Sequence, residues 1–430
     1  MGARGTNVRL TAADREMLDG RHGEAARFAM SVVVRMAEVQ DAAELLSIEQ
    51  AHIDACALMS PSSLELVERL VDGGGRVRVP TTLSMVSLDL ENWRRLGVPA
   101  AFADTALRIA NAYRALGCIP AWTCAPYQGY LTPRFGQQIA WGESNAVAYA
   151  NSALGARTNR YGDYLDICAA ITGRVPNVGL HRTENRRGEI VFRLVEETTD
   201  AWRAPEAWAA LGHLLGEASG DRVPVIEGLP PIATIEQLKA LGAAAASAGS
   251  VALFHVVGLT PEAPTLAAAL HGRPPVDRID VTPGMLDRAW EDLSSGEGTS
   301  GRRLDAVVLG CPHLSYAEFK TLAAAIAARG GRVHPDTRFL VITDVQSHAL
   351  ARRGGLIEPV ERFGATIVFD TCPFHSPIVR RDAEVLMTNS GKCAYYAPGE
   401  LDVRVAFGTT ADCVRSAVEG HVVREASPWA

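Results

Sequence analysis

Asp305-Ala-Val-Val-Leu-Gly-Cys311-Pro312 and Thr366-Ile-Val-Phe-Asp-Thr-Cys372-Pro373 each carry a short apolar run with β-branched residues that closes on a cysteine and a proline. A third stretch, Gly117-Cys-Ile-Pro-Ala-Trp-Thr-Cys124-Ala-Pro126, has the same form. Apolar runs of this length, bounded by Gly, Asp or Pro, read as buried strands of an α/β sheet. Proline donates no backbone N–H and holds its predecessor extended, so each thiol is expected at the carboxyl end of its strand. Open α/β sheets place their ligands at that edge. Three thiolates meeting there would hold an iron–sulfur cluster with one iron left open, and an open iron is a Lewis acid.

The competing reading of any cysteine is core packing, since the free thiol behaves as a small apolar group. Cys56, Cys168 and Cys413 lie among Ala, Ile and Val in helix-like segments and read as core, as does Cys118. Cys393 follows the polar run Thr388-Asn-Ser-Gly-Lys392 and is open to either reading. No C-x-x-C pair occurs, so the usual zinc and ferredoxin spacings are absent.

At 430 residues and 47% hydrophobic content the chain predicts about three domains. Eight cysteines without a secretory leader suggest a reducing compartment and a cytoplasmic protein. A net charge of −7 disfavours nucleic acid as partner. The charge-free stretch Ala240 to Pro261 is rich in Ala and Gly, and Ala248 to Gly258 reads as helix end, turn and strand rather than a membrane span. Met1-Gly-Ala-Arg-Gly-Thr6 matches a myristoylation pattern only by coincidence.

Helix and strand signals alternate along the chain. Thr11 is a capping start, and Ala25, Phe28, Ala29, Val32, Val33 and Met36 recur at helical spacing. A helix is expected around Ser62 to Val71, with strands around Leu45 to Ile48, Arg76 to Val79 and Leu83 to Leu88. Asp72-Gly-Gly-Gly75 is a turn, because no Lys-Ser/Thr follows at phosphate-loop spacing. Gly/Pro-rich breaks at Glu227 to Pro231, His271 to Pro275 and Ser294 to Gly301 suggest α/β units of about 1–205, 206–300 and 301–430.

Polar residues concentrate beside the cysteines. Tyr127, Glu143, Ser144, Asn151, Arg157, Thr158, Asn159 and Arg160 lie in Pro126 to Arg160 among small apolar residues, a composition that suits a buried network. Arg157 and Arg160 read as a bidentate clamp on a substrate carboxylate or as structural ion pairs. Glu143 reads as a proton relay or as a partner of one of those arginines. His313, two residues from Cys311, is the histidine expected to act at the site.

Thr123-Cys-Ala-Pro-Tyr127, Ala140-Trp-Gly-Glu-Ser144, Asn151 to Asn159, Phe254-His to Ala263, Gly310-Cys-Pro-His313, Asp370-Thr-Cys372, Thr388-Asn-Ser-Gly-Lys392 and the amino-terminal Leu10-Thr through Ala51-His-Ile53 together resemble aconitase X. The resemblance implies an aconitase-like fold of three α/β domains around a central metal-site cleft. It implies an iron–sulfur cluster or a mononuclear iron on Cys124, Cys311 and Cys372, and dehydration of a small hydroxy acid such as cis-3-hydroxy-L-proline or mevalonate 5-phosphate. The swivelling fourth domain of the family is not found before Ala430, so a small partner subunit is expected to close the cleft and to contribute a catalytic residue. Ser390 and Lys392 are the candidates on this chain for the base, or for carboxylate binding with an arginine. Tyr130 and Tyr161 stand where the family usually has Asn and Glu, which bears on substrate choice.

Overall fold

The computed structural model describes residues 7–195, 200–231, 233–295 and 298–429; Met1–Thr6 and part of the Ser294–Gly301 break lie outside them. The stretch that includes Cys311 is a strand, Ala306–Leu314, buried along its whole length. It is the middle of a five-stranded parallel sheet in the order Thr366–Phe369, Arg338–Thr343, Ala306–Leu314, Val385–Thr388, Arg404–Phe407. Both faces of this sheet are covered. Leu340, Ile342 and Val308 pack under helix Gly391–Leu401, whereas Leu309, Val341 and Ile367 pack under helices Tyr316–Arg329 and Ile357–Phe363. A strand buried on both faces is apolar without alternation, which is how these runs read.

A second parallel sheet has the order His255–Val256, Pro224–Glu227, Ile190–Leu194, Asp277–Val281. A third pairs Thr81–Leu83, Gln50–Ile53 and Ile139–Trp141, again in parallel. Strand Ile190–Leu194 therefore joins the central sheet, although it precedes the expected boundary near 205. The helices at Ala12–Leu18, Glu24–Val39 and Pro61–Asp72 occupy their expected positions, the first closed by a Thr11–Asp14 capping box.

Three expected strands differ. Val77 donates its N–H to Leu116 O and Arg78 donates to Ala170 O, so Arg76 to Val79 bonds to the ends of helices instead of to a strand. The regular strand is Thr81–Leu83. The chain after it leaves the sheet, and Val86 N–H reaches Asp370 O at 2.7 Å. The run to Cys124 is an extended loop along the edge of that strand, with Ile119 and Thr123 bonding to Thr81 and Leu83, because Pro120 and a positive φ at Trp122 prevent a continuous ladder.

The central unit is clamped by helices Pro205–Ser219 and Ile235–Ala248, which cross at glycines. A Cβ on Gly212 would fall 2.3 Å from Leu241 O. Gly212→Val is expected to lower stability by about 1–3 kcal/mol or more, through overpacking that backbone cannot relieve; chemical denaturation measures it, and an unchanged midpoint would contradict the close crossing.

Candidate active site

Cys124, Cys311 and Cys372 all line one cavity of about 620 Å³ between the units. Cys124 comes from the edge loop, Cys311 from inside the central strand, and Cys372 from three residues beyond Phe369, after Asp370 turns the chain at φ 63°. Cys124 and Cys372 pack with Met85, and His313 N–H points at Cys124 Sγ at 3.3 Å. Burial, then the Glu143 carboxylate, holds the Cys124 thiol well above its ordinary value. Burial and the neighbouring Cys311 push Cys372 up to about 12. Cys311 is raised by a hydrogen bond with the Cys393 thiol and by burial. Three thiols share one pocket, and each is discouraged from ionising. A thiophilic cation reverses this, because the thiolate is the ligand and binding expels the proton.

Helix Gly391–Leu401 starts at Ser390, whose Oγ accepts from Cys393 N–H at 3.0 Å and donates to Cys311 O. One residue in, Lys392 extends into the cavity and forms an ion pair with Glu143. Burial opposes the Lys392 charge, but Glu143 and the thiols of Cys311 and Cys124 outweigh it and hold the ammonium well above its usual range. Glu143 is the N-cap of helix Ser144–Ser152, accepting from Ala146 N–H at 2.8 Å and from the Asn145 amide. Asn145 Nδ2 in turn donates to Cys124 O at 2.9 Å, and Tyr127 O–H donates to Asn145 Oδ1 at 2.8 Å. This network joins Lys392, on the third unit, to the loop of Cys124, on the first.

Gly142 is required beside it. A Cβ there would meet Asp166 Oδ2 at 2.8 Å and Asp54 Cβ at 3.0 Å. His313 is fully buried and neutral, its pKa lowered chiefly by burial, with Nε2 on Thr371 O at 2.9 Å. Its carbonyl accepts from Gln128 Nε2 and from Lys239 Nζ, both at 3.2 Å, so all three units meet at this residue.

The cavity thus brings together Cys124, Cys311, Cys372, Glu143, Ser144, Arg160, His313 and Lys392. Arg160 donates to Ala246 O at 3.3 Å and, among the described residues, has no carboxylate within ion-pair distance. Arg157 faces a different, polar depression, where it donates to Thr183 Oγ1 and lies 3.8 Å from Glu262. Asn151 and Thr158 bond to each other, and Asn151 also accepts from the buried Arg186. Asn159 receives Leu180 N–H, and Tyr127 lies behind Asn145. These residues, with Ser390, stand outside the cavity wall. Glu143 is partnered by a lysine and not by an arginine.

Sequence reading passed over Asp54, Asp163, Tyr396 and Glu400, which line the same cavity. Asp54 is the residue after the motif Ala51-His-Ile53. Tyr396 and Glu400 follow Lys392 at i+4 and i+8, a helical face that the spacing alone carries. Tyr161, one of the two departures, is on the wall and bonded to His181, whereas Tyr130 O–H donates to Asp344 Oδ1 at 3.2 Å.

Models of the aconitase X first, second and third domains match residues 7–184, 188–291 and 304–419. A cis-3-hydroxy-L-proline dehydratase of Pseudomonas aeruginosa is 44% identical over 98% of this chain and 72% of its own length. The chain belongs to the aconitase X family. Its solved-structure likeness is to aconitase X of Thermococcus kodakaraensis in the holo form, with a TM-score of 0.84 and 30% identity over 95% of this chain and all of that one. The phosphomevalonate dehydratase large subunit of Methanothermobacter thermautotrophicus is 34% identical over 95% of this chain and 98% of its own. As an aconitase X, the chain has the expected three α/β units around a cleft. Among the described residues, no helix is long and apolar enough to cross a membrane.

Proposed function

We propose that this chain is a hydro-lyase that converts cis-3-hydroxy-L-proline to Δ1-pyrroline-2-carboxylate, with an iron centre held by Cys124, Cys311 and Cys372. The observation that carries the reading is the meeting of three buried thiols and the Lys392–Glu143 pair in one cavity, in a chain 44% identical to a dehydratase of that name. The donor set suits iron, being soft sulfur with no competing carboxylate among the three ligands. Among the described residues the three sulfurs do not lie mutually within 4.8 Å. Once bound, an iron with an open position supplies the Lewis acid that eases departure of hydroxide.

The remaining chemistry belongs to the protein. Dehydration breaks the C–H bond beside the carboxylate and the C–O bond at C3; water leaves, and the enamine gains a proton at carbon to become the cyclic imine. Arg160 binds the carboxylate. Lys392, kept charged by Glu143, places a fixed positive charge where the enediolate-like state gathers electron density, a role worth about 2.7–4 kcal/mol for one well-placed donor. Lys392 is thereby unsuited to take the proton, and Ser390 Oγ is engaged in its helix cap. We therefore place the base on a small partner subunit, in keeping with the "large subunit" names of the archaeal relatives. Mevalonate 5-phosphate is the weaker alternative, since the relatives of that activity are 33–34% identical.

The test is an anaerobic assay of the iron-loaded chain, alone and with a small aconitase X subunit, against cis-3-hydroxy-L-proline. Brown protein, and an imine product that appears or rises strongly with the partner, are expected. A colourless, iron-free protein inactive in both settings refutes the proposal.

A further inference from the structure

The charged groups on the cavity wall do not balance. Glu143 and Lys392 neutralise each other, which leaves Asp54, Asp163 and Glu400 facing Arg160, three carboxylates against one guanidinium. Asp163 and Glu400 are exposed, although burial raises the Asp163 carboxyl somewhat. Asp54 is different. It follows strand Gln50–Ile53, and its backbone N–H is anchored on Asp166 Oδ2 at 2.7 Å. Its Oδ1 is buried without a hydrogen-bond partner, and among the described residues no cation lies within ion-pair distance of its carboxylate. Burial, then repulsion by Glu143, pushes this carboxyl up to about 7, as happens to an acid that lacks its counter-ion. A carboxylate held out of water is costly until a cation completes it.

The substrate proposed above is a zwitterion. Its ring ammonium and its carboxylate are both attached to the α-carbon, so one molecule presents opposite charges side by side. Arg160 and Asp54 line the same cavity; Arg160 is exposed with, among the described residues, no carboxylate within ion-pair distance, and Asp54 has a buried carboxylate oxygen without a hydrogen-bond partner. We infer that Asp54 receives the ring ammonium of the substrate and thereby selects a cyclic amino acid over a phosphorylated hydroxy acid. This rests on the proposed dehydration of cis-3-hydroxy-L-proline. A phosphate dianion in the same place meets Asp54, Asp163 and Glu400 as like charges, which explains why the excess of carboxylates suits one substrate class and excludes the other.

The experiment compares L-proline with cyclopentanecarboxylate as competitive inhibitors of cis-3-hydroxy-L-proline turnover by the iron-loaded enzyme with its partner; the two differ by an ammonium in place of a methylene. The wild type is expected to bind L-proline more tightly, on the order of 10- to 100-fold, the worth of a hydrogen bond to a charged group. Asp54→Asn should erase that preference while leaving cyclopentanecarboxylate inhibition almost unchanged, and Asp54→Glu should restore part of it. Iron content and melting temperature of each variant separate misfolding from lost recognition. Equal weakening of both inhibitors in folded, iron-loaded Asp54→Asn overturns the inference, because it marks a general structural or proton-transfer role. A preference that persists in the variant overturns it too. Absence of turnover by the wild type with its partner instead refutes the substrate itself, so the two failures are distinguishable.

Discussion

Replacing Cys311 with alanine is expected to abolish bound iron and turnover together while leaving the chain folded. Cys311 is 7% exposed at the centre of the five-stranded sheet, and its sulfur faces the cavity shared with Cys124 and Cys372. Losing an outer-shell partner costs a metal site roughly 10- to 100-fold in affinity, so losing one of the three proposed ligands should cost more. The packing loss is small, because a thiol and a methyl group differ little in volume and the strand keeps its backbone bonds on both sides. Cys413→Ala is the matched control. That residue is fully buried in the core beneath the opposite face, away from the cavity, and its replacement is expected to leave iron and activity in place. Iron analysis and visible absorbance on both proteins decide the matter. An active, iron-loaded Cys311→Ala enzyme would remove Cys311 from the metal centre.

Breaking the Lys392–Glu143 pair is expected to have the second largest effect. Their side chains are only 13% and 3% exposed, so Glu143→Ala leaves a lysine charge in the cavity wall without its partner. Removing one member of a buried pair costs about 3–5 kcal/mol. The same change deletes the N-cap of helix Ser144–Ser152, worth a further ~0.5–2 kcal/mol. Turnover should fall with stability, because the fixed positive charge loses its orientation. Replacing both residues, as Glu143→Gln with Lys392→Met, should recover much of the stability by removing the orphaned charge, and none of the activity. Denaturation midpoints and kcat/KM separate these outcomes. A Glu143→Ala protein within 1 kcal/mol of wild type would mean that the ion pair does not hold the wall together.

Much of this arrangement was legible in the residues. Unbroken apolar runs such as Ala306 to Leu309 mark strands covered on both faces, but only Cys372 follows the end of its strand: Cys311 lies inside strand Ala306–Leu314 and Cys124 on a loop beside strand Thr81–Leu83. Arg157 shows the limit. In sequence it is indistinguishable from Arg160, three residues on, as a carboxylate clamp. In the fold the two guanidiniums leave in different directions, one to Glu262 and Thr183 and the other into the cavity. Asp54 was missed for the converse reason: nothing in its neighbours distinguishes an aspartate that ends a strand in water from one that ends it in a cavity.

Local sequence therefore determined what is set by short-range chemistry: the helices with their caps, the doubly covered strands, the family motifs and the three thiols. Which polar groups face one another was decided only by the tertiary structure. Lys392 and Glu143 are separated by 249 positions, and Cys124 and His313 by 189. Partnerships at that range follow from how the three parallel sheets and their helices are packed together, because burial rewards any apolar run that leaves water, whereas a charge is stable out of water only opposite the one group that the packing delivers.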